Sequence, residues 1–332
     1  MCGFLFCTCW VLSFSSLAMI TNPIALSTCC CSRRHKHAYA ILEEIAEQGF
    51  EYTELSHGIR ITLVPGIHKA LQGGVIKAIS VHDFCPLPHG TQHPASNLYE
   101  PSSLDSRERK QWLTYSGRPI DFAAEVGAKY AVIHLGSVHF FFKGAAAKVH
   151  KYLENQTVGD PFGDVNYQKV LQKALGRIRK KQKKHMDQLR RSLDELISLA
   201  EAKGIILGFE NREDLEELPM DDEMPALLDH YADCPYVGYW YDPGHSQEKS
   251  DLGVISPEDN LKAAGKHLAG VHFQDYTEEG KVHRAIGKGV VDFDPIFQYL
   301  KPETPCILEL TPSSTAQGIL DSKKFLEQKL DT

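Results

Sequence analysis

Lys203-Gly204-Ile205-Ile206-Leu207-Gly208-Phe209-Glu210 is the stretch on which the fold turns. Ahead of it, Leu189, Leu193, Leu196, Ile197 and Ala200 recur at the spacing of one helix face. Gly204 closes that helix, because glycine enters the left-handed conformation of a helix end without a Cβ penalty. The apolar run that follows has the length of a buried strand, and it stops at an acid. The unit is therefore helix, tight turn, strand, polar end.

The same unit recurs outward in both directions. Ala38, Ile41, Leu42, Ile45 and Ala46 lead through Gly49 into residues 51–55, and Phe122 and Val126 lead through Gly127 into 130–134. Comparable strands fall at 237–242, 268–272 and 306–309, and those at 23–29 and 75–82 bring the number to eight. Strands alternating with helices imply right-handed βαβ units and a parallel sheet. Eight of them predict a closed (β/α)₈ barrel of the α/β class, a single domain, rather than an open doubly wound sheet. The 332 residues exceed the roughly 250 of a plain barrel. The excess falls in two long connections, 83–118 and 136–185. The second carries the basic run Arg177-Ile178-Arg179-Lys180-Lys181-Gln182-Lys183-Lys184, read as a solvated helix face.

Residues 1–21 form an apolar N-terminal extension, and 22–332 the barrel. The extension has no basic residue ahead of it, as a secretory signal would, and its Ser, Thr and Cys residues argue against a stable membrane span. It is read as an upstream false start, with Met19 as the true beginning and a cytoplasmic product. Export follows instead if the run is a genuine signal. Six of the nine cysteines lie in the first 31 residues without zinc-type spacing. Composition is that of an ordinary globular protein, 42% hydrophobic and 24% charged. The net charge of −7 argues against nucleic acid as a general partner. It leaves room for a small substrate and is compatible with a homo-oligomer.

In such a barrel the C-terminal strand ends line the active site. They carry Glu54 and His57, His82 and Asp83, His134, Glu210, Asp242 and His245, His272 and Asp275, and Glu309. The last four strands end in Glu210, Asp242, His272 and Glu309. Three carboxylates and an imidazole are hard and borderline donors suited to one divalent metal, Mn²⁺, Mg²⁺, Co²⁺ or Zn²⁺. Gathering a ligand charge of −3 without a cation is costly, because like carboxylates raise one another's pKa. Arg212, Lys143 and Lys288 are candidate phosphate holders that read rather as surface or supporting charges.

These segments resemble a known family. Ile206-Leu207-Gly208-Phe209-Glu210-Asn211, Tyr241-Asp242-Pro243-Gly244-His245, Val271-His272-Phe273-Gln274-Asp275 and Ile307-Leu308-Glu309-Leu310 are similar to the xylose-isomerase-like superfamily of TIM barrels. The stretch His283 to Phe293 resembles its GxGxxDF signature, and the likeness covers roughly residues 23–327. The superfamily joins sugar (phosphate) isomerases and epimerases with endonuclease IV.

The resemblance to the tagatose- and psicose-epimerase branch implies that Glu210, Asp242, His272 and Glu309 hold the metal. It implies Glu210 and Glu309 as the acid/base pair, passing a proton through a metal-stabilised enediolate of a small sugar, sugar phosphate or related polyol. His245 and Arg284 would contact substrate oxygens, and His82, His134 and Glu54 would line the pocket. Two alternatives come with the resemblance: an endonuclease IV-like phosphodiester hydrolase and an inosose dehydratase-like lyase. The hydrolase needs three metal ions, and Lys281 stands where one of its aspartate ligands should be. A further alternative is a non-catalytic sugar-binding barrel.

Overall fold

The computed structural model describes residues 22–331 apart from 92, 94, 142, 143 and 156, so the N-terminal extension lies outside the described residues. Eight parallel strands close in sequence order: β1 (Ile24–Ser27), β2 (Tyr52–Leu55), β3 (Lys77–His82), β4 (Tyr130–Ile133), β5 (Ile206–Glu210), β6 (Val237–Tyr241), β7 (Leu268–Phe273) and β8 (Cys306–Leu308). Each expected strand is present. The first is shorter than expected, because Ser27 caps a 3₁₀ turn over Thr28–Cys30.

Period-two alternation sends one column of each strand into the barrel. Val132 and His134 form one such column, Gly208 and Glu210 the next, then Trp240 and Asp242, Gly270 and His272, and Ile307 and Glu309. The register between β2 and β3 shifts at Thr53/Glu54. After the shift Ser80 stands beside Glu54 and donates to its Oε2 at 2.9 Å. Beneath the polar strand ends sits an apolar layer of Ala25, Ile79, Val132, Trp240 and Ile307. Trp240 fills it because β5 and β7 carry glycine there. A Cβ at Gly208 would lie 2.6 Å from Trp240 Cε3, and one at Gly270 would lie 2.1 Å from Cζ3.

The long connections resolve into helices. Ser106–Val126 follows β3, and the 39-residue Val165–Lys203 precedes β5. In the basic run Ile178 and Gln182 are buried, while Arg179, Lys180, Lys181, Lys183 and Lys184 face solvent. The connection from β7 to β8 holds only the short helix Asp294–Phe297. Its loop is held by Asp275 instead. Oδ2 of that residue accepts backbone N–H groups from Gly287, Lys288 and Gly289 at 2.8–3.0 Å, and Oδ1 accepts from Tyr276 and Val291. Gly289 is required there, since a Cβ would sit 2.0 Å from the Tyr276 carbonyl oxygen. Among the described residues no helix is long and apolar enough to cross a membrane.

Candidate metal centre and active site

Four strand ends converge on one point. One ligand atom from each of Glu210, Asp242, His272 and Glu309 lies within 4.8 Å of the others, and all four side chains are at most 4% exposed. His272 Nδ1 is 2.9 Å from Glu210 Oε1 and 3.1 Å from Glu309 Oε2. Its Nε2 is 3.0 Å from Glu54 Oε2. Metal-binding histidines use this arrangement, one nitrogen toward the ion and the other tethered to a carboxylate that fixes the ring. Burial opposes a charge on His272, but Glu309 and Glu54 hold its pKa well above the ordinary value. Three buried carboxylates converge on this one imidazole, a set whose negative charge a divalent cation would balance. The donor set therefore fits a divalent cation.

The surrounding groups hold the four donors in place. Asp242 Oδ1 accepts from the His245 N–H at 2.9 Å, and Oδ2 accepts from Gln274 Nε2 at 2.6 Å. Burial, with Glu210 adding to it, raises the Asp242 pKa. Glu210 Oε2 lies 2.8 Å from His134 Nε2, 3.6 Å from His82 Nε2 and 3.4 Å from Arg212 Nη1. Burial alone would raise its pKa, but His134, His272 and His82 pull it well below the carboxylate range.

The five substrate-contact and pocket residues expected from the resemblance take different positions. His82 and His134 sit on Glu210, and Glu54 sits behind His272. Burial and the Arg212 guanidinium push His134 down to about 3, so it is neutral. His245 is buried, with Nδ1 3.0 Å from the Asn211 carbonyl and Nε2 3.3 Å from Glu213. Burial opposes its charge, yet Asp242 and Glu213 lift it to about 9. Arg284 lies further out. Its backbone pairs with Asp275, and its Nη1 donates to Ser313 Oγ at 3.3 Å.

One supporting group carried no signal in the sequence. Asn97 Oδ1 meets His134 Nδ1 at 2.8 Å from within the long loop after β3. Arg212 is engaged by Glu210, Glu213 and Glu217, so it is a supporting charge rather than a phosphate holder. Lys143 lies outside the described residues, and Lys281 is exposed in a turn closed by Thr277. From Glu309 a cavity of about 320 Å³ opens outward, also lined by His57, His283, Ser32, Arg33 and Thr311. That volume falls in the roughly 300–1,000 Å³ range of small-molecule sites.

A closed parallel barrel with candidate metal donors converging at its C-terminal mouth defines a TIM-barrel class. The chain belongs to the xylose isomerase-like TIM barrel family, whose model matches residues 42–329. No curated protein matches it by sequence. Among solved structures it is similar to a D-tagatose 3-epimerase-like protein, at 18% identity, 93% of this chain, 97% of that one and a TM-score of 0.62. It is also similar to a 3-keto-D-glucoside 4-epimerase from E. coli, at 15% identity over 92% and 99% of the two chains, TM-score 0.63. The IOLI protein, solved with a zinc atom, matches at 14% identity over 93% and 98%, TM-score 0.58.

Proposed function

We propose that the protein is a metal-dependent isomerase or epimerase of a small carbohydrate. The observation that carries this reading is the buried tetrad of three carboxylates and one imidazole, with Glu309 opening onto a sugar-sized cavity. Structures of epimerases with the same fold support it, one of them holding D-allulose. Glu210, Asp242, His272 and Glu309 would hold the ion. When bound, a divalent cation polarises a ketose carbonyl and acidifies the neighbouring C–H.

The chain's own residues do the rest. Glu309, on the cavity wall, takes the proton from the carbon beside the carbonyl at a carboxylate oxygen. Glu210, oriented by His134 and Arg212, returns one on the opposite face, passing on a proton from His82, which the neighbouring carboxylate keeps charged. His245, cationic through Asp242 and Glu213, would turn the Nε2–H that faces Glu213 at 3.3 Å to oxygen charge that develops on the substrate. Burial of the tetrad excludes water from these transfers.

The test is proton exchange. Protein loaded in turn with Mn²⁺, Mg²⁺, Co²⁺ and Zn²⁺ is incubated with ketoses in D₂O and followed by NMR. Deuterium should enter at the carbon next to the carbonyl in wild type and not in Glu309→Gln. Metal-loaded protein that exchanges no ketose would overturn the reading.

A second reading has one observation in its favour. His82, His134 and Glu210 form another donor group within 4.8 Å, which would make Glu210 a bridge between two ions, as a phosphodiester hydrolase would use it. Metal content near three per chain, with cleavage of an abasic-site duplex, would move the assignment there. A content near one keeps it with sugars.

A further inference from the structure

Two adjacent arginines follow the first strand, and they are used in opposite ways. Arg34 is spent on structure. Its Nη1 donates to the Cys30 carbonyl at 2.8 Å and the Pro312 carbonyl at 3.1 Å, and its Nη2 pairs with Glu44. It thereby ties the loop after β1 to the loop after β8, and that seam forms one wall of the active-site cavity. Arg33 lies on the same seam and lines the cavity. Its guanidinium has no hydrogen bond or ion pair among the described residues.

The charge along the cavity is ordered. Glu309, 4% exposed, is the only carboxylate in the lining and marks the deep end. The exposed Arg33 marks the mouth, with the hydroxyls of Ser32 and Thr311 on the same wall. Arg284 adds a second cation nearby, next to the cavity-lining His283. Its Nε is buried and makes no hydrogen bond. A neutral sugar would leave the Arg33 guanidinium and the Arg284 Nε without an anionic partner. A planar guanidinium fork matches the paired oxygens of a phosphate or carboxylate.

We infer that the mouth of this cavity is an anion-binding subsite in which Arg33, assisted by Arg284, holds the charged terminal group of the substrate. The ligand class is then a sugar with its carbonyl end at the tetrad and a phosphate monoester or a carboxylate at its far end. This rests on the sugar reading above, but it is testable apart from it.

The experiment measures dissociation constants by calorimetry for D-fructose, D-fructose 6-phosphate and D-fructuronate on metal-loaded protein, with inorganic phosphate as a separate probe. The expected result is that at least one charged sugar binds on the order of 10-fold tighter than D-fructose, the scale of a charge-assisted contact. The larger of the two ratios identifies the terminal group. Arg33→Ala should bring that ratio close to one, Arg33→Lys should keep part of it, and Arg33→Glu should invert it. A ratio near one in wild type, or an unchanged ratio in Arg33→Ala, overturns the inference. If no sugar exchanges deuterium, yet inorganic phosphate binds wild type and not Arg33→Ala, the sugar reading fails and the anion subsite stands.

Discussion

Inside the barrel, two layers about 7 Å apart along the strands follow opposite rules. The lower is Ala25, Ile79, Val132, Trp240 and Ile307, apolar and close-packed. The upper begins two residues further along the same strands, where Val132 gives way to His134, Trp240 to Asp242 and Ile307 to Glu309. Both layers are buried. The lower one gains stability from its burial, whereas the upper one gathers like charges that burial penalises. The difference teaches that function here is set by height along a strand, not by which face a residue takes. The upper layer is a cost that only a cation, or the proton on His272, offsets.

Breaking the upper layer should destroy activity and spare the fold. Glu309→Gln and Glu210→Gln are each expected to lower deuterium exchange by about 10³-fold or more, given the 10²–10⁴-fold worth of a positioned acid or base. Their circular dichroism should match that of wild type. Breaking the lower layer should do the reverse. Trp240→Ala is expected to cost about 3–5 kcal/mol, read as a lowered midpoint in urea. Gly270→Ala, which drives a methyl into the indole, should cost about 1–3 kcal/mol.

The ion sharpens the contrast from the other side. A cation present at about 1,000 times its Kd is expected to stabilise wild type by about 4 kcal/mol, seen as a thermal shift. In Asp242→Asn that shift should largely disappear, and in Gly270→Ala it should persist. The smallest effect belongs to Asp83, which is buried just behind the upper layer with Ser116 Oγ 3.1 Å away. Burial pushes its carboxyl up to about 8, despite the opposing pull of His82 and Ser116. Because the folded pKa is raised, the neutral acid favours the fold at low pH, and stability drains away from about pH 4, the unfolded pKa, until the loss is complete above about 8. Asp83→Asn should therefore melt a few degrees above wild type at pH 9, and the gap should shrink as pH falls and close only near pH 4, around the unfolded pKa. Parallel melting curves for the two proteins across that range would remove this account of Asp83.

The two layers also mark how far the sequence could be read. Eight strands and the four donors at the last strand ends were legible, because alternation and the polar ends of apolar runs are local signals. What positions those donors was not. Asn97 lies 37 residues before its partner His134 in an irregular loop, and Ser80 reaches Glu54 only through a register shift. Asp275 and Asp242 look alike in sequence, each following a strand. One is consumed by five backbone N–H groups of a glycine loop and the other joins the tetrad. The only clue was Gly287-Lys288-Gly289 a dozen residues later. Its three successive amides need an acceptor, which local patterning does not identify.

Trp240 has one more consequence. It is fully buried, and its indole meets the His272 ring edge to face at 5.4 Å. The chain holds three tryptophans, Trp10, Trp112 and Trp240, and this one forms the floor beneath the metal donors. The barrel thus carries its own optical gauge. Emission from Trp240, isolated by a Trp10→Phe/Trp112→Phe background and checked against Trp240→Phe, reports the exchange of a proton for a cation on His272 without an added dye.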